Sequence, residues 1–212
     1  MGQYYHPTVI NSRGHVHYLY SHEYDNGLKL MEHSYIGNNF VNAVLSQIFK
    51  KAMRIAWVGD YARDDYSGDE PYQKKMPKQK FTRLWNKVYG KNAGHRKIHP
   101  EPLKGFEDLP DFSGWYLVNH TQKIYVDLSS YIEKNKWHEE GDTWKGEHYS
   151  YDMCVNPLPL LTACGNNRGG GDYHDSHPDF GKVGTWAFDL IEFTDEAPKD
   201  YTAVTYCFTE EE

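Results

Sequence analysis

The chain has 212 residues, a formal net charge of −7, 39% hydrophobic and 16% aromatic residues. That length suits one domain, 1–212, with a core of its own. The aromatic content argues against disorder, because large rings bring apolar area at small entropic cost. The acidic balance argues against general nucleic-acid binding, and no apolar run approaches the ~18 residues of a membrane span.

Three cysteines without metal-type spacing suit a reducing compartment rather than a disulfide framework. MGQYYHPTVI has no basic region before an apolar run, and His6 stands where a myristoylation signal needs Ser or Thr. A cytoplasmic protein is expected. Its charge is uneven: from Lys74 to Lys97 there are nine Lys or Arg and no acid, against 14 basic and 30 acidic residues elsewhere.

GQYYHPTVI and HVHYLYS read as strands joined by the turn-rich NSRG. Pairing Ile10 with His15 would put Tyr5, Val9, Val16, Tyr18 and Tyr20 on a core face. His6, Thr8, His15 and His17 would then share a face that is solvated or part of a site. The segment HEYDNGLKLMEHSYIGNN has a DNG turn and no clear periodicity. Asn38 or Asn39 then caps a helix whose Phe40, Val41, Val44, Leu45, Ile48 and Phe49 recur at helical spacing.

IAWVGDYA reads as a short buried strand ending at Gly59 and Asp60. Residues 62–113 form a possible insertion with a polar loop over 62–78 and a basic amphipathic helix over 79–91. Phe81, Leu84, Trp85 and Val88 line one face of that helix and Gly90 ends it. GWYLVN and KIYVDLS form a further hairpin. The Trp-, Glu- and Gly-rich stretch from Trp137 to Tyr149 reads as a loop. VGTWAFDLIEF and YTAVTYCF read as strands. The whole is expected to be α+β, with largely antiparallel β-hairpins, two main amphipathic helices and long polar loops.

The segment LTACGNNRGGGDYHDSHP is the first candidate site. Glycines 169, 170 and 171 permit backbone N–H groups to point at an anion, and Arg168 adds a planar donor pair. Asn166, Asn167 and Asp172 would orient a ligand. Tyr173, with Tyr61 or Trp186, would stack on a base or sugar. Neither common nucleotide fingerprint is present, so a strain-relieving turn is the plain alternative. His174, Asp175 and His177 could hold a divalent metal with Asp172, although no metal motif supports them. Cys164 could be an activated nucleophile, or more simply a buried thiol. Glu32, His33, Asn38, Asp60 and Tyr61 sit at the ends of well-formed elements, where sites are often built and where caps are also needed.

GQYY, LKLMEHSYIGN, VGDYA and GNNRGGGDY together resemble an uncharacterised family of bacterial and phage-encoded proteins. The resemblance implies a phage-type accessory protein, and such proteins bind host factors or small host-made signals. A non-catalytic protein binding a small anionic, nucleotide-like ligand or a host protein is therefore the leading expectation. One alternative is a metal-dependent hydrolase using Asp172, His174 and His177. The other is an interaction module presenting Lys80, Arg83 and Lys87 of the basic helix.

Overall fold

A computed structural model of the chain describes residues 2–64, 66, 68–107, 109, 111–144, 147–165, 173 and 178–209, through the backbone alone over 141–144 and 147–149. Strands β1 (Tyr5–Ile10) and β2 (Val16–Tyr18) precede a short helix α1 (Leu30–His33), helix α2 (Asn39–Ile48) and strand β3 (Met53–Gly59). Helices α3 (Pro71–Lys75) and α4 (Lys78–Tyr89) come next, then strands β4 (Tyr116–Asn119) and β5 (Ile124–Asp127) and helix α5 (Leu128–Asn135). Strands β6 (Lys136–Trp144) and β7 (Glu147–Cys154), helix α6 (Pro157–Leu161) and strands β8 (Ala163–Cys164), β9 (Leu190–Thr194) and β10 (Thr202–Ala203) follow.

The main sheet runs β10-β5-β4-β9-β3-β1-β2, with β8 also paired to β3. Pairings are antiparallel except β10 with β5 and β3 with β8. The chain is thus α+β as expected. No helix among the described residues is long and apolar enough to cross a membrane.

β3 is the middle of the molecule because both of its faces are covered. Ile55 and Trp57 point into the larger core beneath α2, α5 and α6. Ala56 and Val58 point into the smaller one beneath α3 and α4. Alternation along the strand makes these opposite sides. Residues 62–113 therefore carry the second helical layer, which packs on the sheet through Tyr72, Phe81, Leu84 and Val88.

The first hairpin is in a different register from that expected. Ile10 pairs with Val16, and Thr8 with Tyr18. The turn is one residue shorter than the tetrad NSRG implied. Asn11 and His15 close it, with Asn11 N–H on the His15 carbonyl at 3.1 Å, and Gly14 takes the left-handed conformation (φ 75°). A three-residue loop ending in a left-handed glycine sets that register. The slip brings Val16 and Tyr18 of β2 onto the face of His6, Thr8 and Ile10, so that the face expected to be solvated or part of a site is buried, with His6 between Tyr18 and Tyr89 at ring centroid distances of 5.2 and 4.8 Å.

Other expectations are also corrected. Of the stretch expected to be a loop, residues 137–144 belong to β6 and residues 147–149 to β7, which form a separate two-stranded sheet. KIYVDLS is strand only as far as Asp127, whose carboxylate then accepts the Ser130 N–H and starts α5. Of VGTWAFDLIEF only the last residues are strand, because 183–189 form turns.

Candidate functional site

At the N-terminal end of β3 the sheet, the first hairpin and α4 enclose a cleft of about 440 Å³. Ligand cavities commonly have ~300–1,000 Å³. Its floor is apolar: Val16, Met76, Leu84 and Phe188, all buried, with Ile10 and Leu190 beside them, while the Met53 side chain belongs to the core on the other face of β3. Its rim carries Arg54, Lys80, Arg83 and Lys87, together with Asn11, Ser12 and Gly14 of the hairpin turn.

Helical geometry explains the rim. Spacings of three and four put Lys80, Arg83, Leu84 and Lys87 on one stripe of α4, while Phe81 and Val88 face the sheet. Among the described residues no carboxylate lies within ion-pair distance of Lys80, Arg83 or Lys87. Among the described residues, Lys29, Lys50, Arg63, Lys75 and Lys97 do have carboxylate partners, as in Lys50–Asp195, Lys75–Asp189 and Lys97–Glu23. Like charges three and four apart on a helix cost about 0.2–0.5 kcal/mol per pair. An anion in the cleft would relieve that repulsion.

The floor is held from two sides. Phe188 adopts φ 65°, rare for a bulky side chain. Its N–H donates to the Ile55 carbonyl at 2.8 Å, and its own carbonyl accepts from the Arg54 guanidinium at 2.9 Å. Next to it the buried Asp189 carboxylate accepts from Lys75 Nζ at 2.7 Å, Asn119 Nδ2 at 2.9 Å and Gln122 Nε2 at 2.6 Å. Lys75 precedes Met76 of the floor, so this ion pair ties the end of α3 to the turn just before β9.

The residues singled out in the sequence have other positions. Asn166, Asn167, Arg168, Gly169, Gly170, Gly171, Asp172, His174, Asp175 and His177 lie outside the described residues. The stem of that segment is described, and it leaves from the opposite end of β3. Cys164 pairs in parallel with Val58, so Gly165 emerges beside Gly59 and Asp60. A Cβ on Gly165 would stand 2.1 Å from Tyr5 Oη, which explains the glycine there by close packing. Five residues of strand, about 16 Å at the usual rise, separate Gly59 from Arg54.

Glu32 belongs to a helix start: Oε2 accepts the Lys29 N–H at 3.0 Å, and Oε1 pairs with Lys29 Nζ at 3.0 Å. His33 is fully buried. Its Nδ1–H donates to the Gly27 carbonyl at 3.0 Å, which leaves Nε2 to accept the Trp57 indole N–H at 3.0 Å. Burial brings its pKa down to about 4, so the ring is neutral and both nitrogens are used. Asn38 caps α2 by accepting from Phe40 N–H at 2.9 Å and Val41 N–H at 3.3 Å.

Asp60 accepts the Tyr4 N–H at 3.0 Å, and burial raises its pKa. Tyr61 is half-buried in the turn after β3. Tyr173 and Trp186 cannot stack on a ligand from these positions. Tyr173 is buried against Phe180 and Phe208, and Trp186 is fully buried with its indole N–H on Tyr206 Oη at 3.2 Å. Cys164 is fully buried and burial pushes its thiol pKa well up, which makes it a packing residue and not a nucleophile.

Among the described residues no three His, Cys, Asp or Glu side chains are grouped to hold a metal. Of the cleft residues, the sequence pointed to Lys80, Arg83 and Lys87 through the acid-free run, but not to Arg54, Met53 or Phe188. Compared with family models, curated proteins and solved structures, the chain matches none.

Proposed function

We propose that the protein is a non-catalytic binding protein for a small anion, held in the cleft between α4 and the N-terminal end of β3. The observation that carries this is the grouping of Arg54, Lys80, Arg83 and Lys87 around an apolar cavity of about 440 Å³, with no carboxylate among the described residues paired to the three α4 cations. An anion there gains from all four charges, and from a guanidinium already oriented by the Phe188 carbonyl. The resemblance to bacterial and phage-encoded proteins suggests a host-made small molecule as the ligand.

The same α4 cations could instead meet an acidic host protein, but an enclosed apolar floor adds nothing to such a contact. Calorimetry with a panel of phosphates, carboxylates and sulfates tests the proposal. Binding should weaken with added salt and disappear in Arg83→Glu/Lys87→Glu, whose fold is checked by circular dichroism. Equal binding by that variant and the wild type would sink it. A ligand at 100 times its Kd should stabilise the fold by about 2.7 kcal/mol.

A further inference from the structure

The anion itself can be narrowed from the chemistry of the floor, on the premise that the cleft is the binding site. We infer that the ligand is an amphipathic anion, one phosphate, sulfate or carboxylate on an aliphatic body, and not a nucleotide.

Side chains with polar groups lie at the rim of the cleft, and the four buried side chains of its floor, Val16, Met76, Leu84 and Phe188, carry no hydrogen-bonding group apart from the weakly accepting thioether of Met76. A nucleobase laid on this floor would have its ring nitrogens and exocyclic groups desolvated without partners. Each such loss lowers affinity several-fold or more. The floor also lacks a pair of rings to sandwich a base: Phe188 is its single aromatic, and that ring already packs edge-on against Phe81 at 6.2 Å. An alkyl chain meets none of these penalties. Each methylene it fully buries raises affinity about fourfold. Met76 suits such a chain, because an unbranched thioether adapts to an irregular apolar shape.

The head group has a matching place. Lys80, Arg83 and Lys87 stand along one wall. Arg54 gives one of its five N–H donors to the Phe188 carbonyl and marks the floor's edge. Charge at the rim and apolar surface below it is the distribution of an amphiphile.

The test uses the full chain and a series of inorganic phosphate, butyl phosphate, hexyl phosphate and octyl phosphate, with AMP beside it, by calorimetry at fixed ionic strength and below micellar concentrations. Affinity should rise about two- to fourfold per methylene along the series, and AMP should bind no better than butyl phosphate. Leu84→Asn should flatten the chain-length dependence, so that octyl phosphate gains little over butyl phosphate in that variant. Should that variant not fold, the series on the wild type decides alone. A flat series, or AMP binding as tightly as octyl phosphate, overturns the amphiphile but leaves anion binding in place. Failure of every anion to bind overturns both. Recruitment to vesicles rich in phosphatidylglycerol without binding of soluble octyl phosphate assigns the cleft to a membrane surface and also overturns it.

Discussion

Helices α2 and α4 lie on opposite faces of the same strand and are used differently. α2 has seven of its ten residues buried, and one of those, Asn42, is polar. α4 is longer, yet Phe81, Leu84 and Val88 are its only buried residues, and its other stripe is cationic. Packing therefore consumes α2, whereas α4 attaches by one side and leaves its charges beside a cavity. The contrast shows which helix can change its chemistry without cost to the fold.

The largest effect should come from α2. Phe40 is fully buried and meets the His33 ring edge-on at 4.9 Å. Phe40→Ala should cost about 3–5 kcal/mol in urea unfolding. An unchanged midpoint would contradict the packing role of α2.

Each face also holds one buried histidine, His33 near α2 and His6 against Tyr89 of α4. Burial lowers both pKa values from 6.5 to about 4. Between those values the unfolded chain binds protons that the folded chain refuses. Their stabilisation is thus complete above pH 6.5 and is lost as pH falls toward 4, by about 3 kcal/mol per histidine at most. In His6→Phe the loss over this window, followed by thermal unfolding, should be roughly halved.

Lys75→Met should cost about 2–4 kcal/mol, since Asp189 stays buried with only two amide donors. The same variant should weaken anion binding by loosening Met76, a joint effect absent from Phe40→Ala as long as that variant is folded. The smallest effect on stability belongs to the α4 stripe. Arg83→Glu should change unfolding by no more than about 0.5 kcal/mol while anion affinity falls at least tenfold. A large loss of stability there would mean that the cationic stripe is structural after all.

The sequence made local regularities visible. Asn38 followed by apolar residues at helical spacing announced α2, and the same spacing closed by Gly90 announced α4. It misjudged features whose cause is one residue of geometry. Val16 and Tyr18 replaced His15 and His17 beside His6 because the turn ending in a left-handed Gly14 is one residue shorter, and α5 was hidden because Asp127 both ends a strand and caps a helix. β6 and β7 were obscured by Glu and Gly, which are depleted in strands, although here they lie in a two-stranded sheet outside the main one. The cleft was half visible: its cations form a stripe on one helix, while Arg54 and Phe188 are 134 positions apart and no periodicity joins them.

That separation has a consequence for the order in which the molecule is made. Met53 and Arg54 are paired with Ile191 and Leu190, so one edge of the central strand waits for residues near the other end of the chain. At ~5–20 residues per second, the ribosome delivers that partner roughly 7–30 s later. During this interval the nascent chain carries an apolar strand with part of one edge unpaired and a cleft without Phe188. The cleft is closed only once residues 188–191 have been made, and holding factors on the nascent chain would find their target at β3.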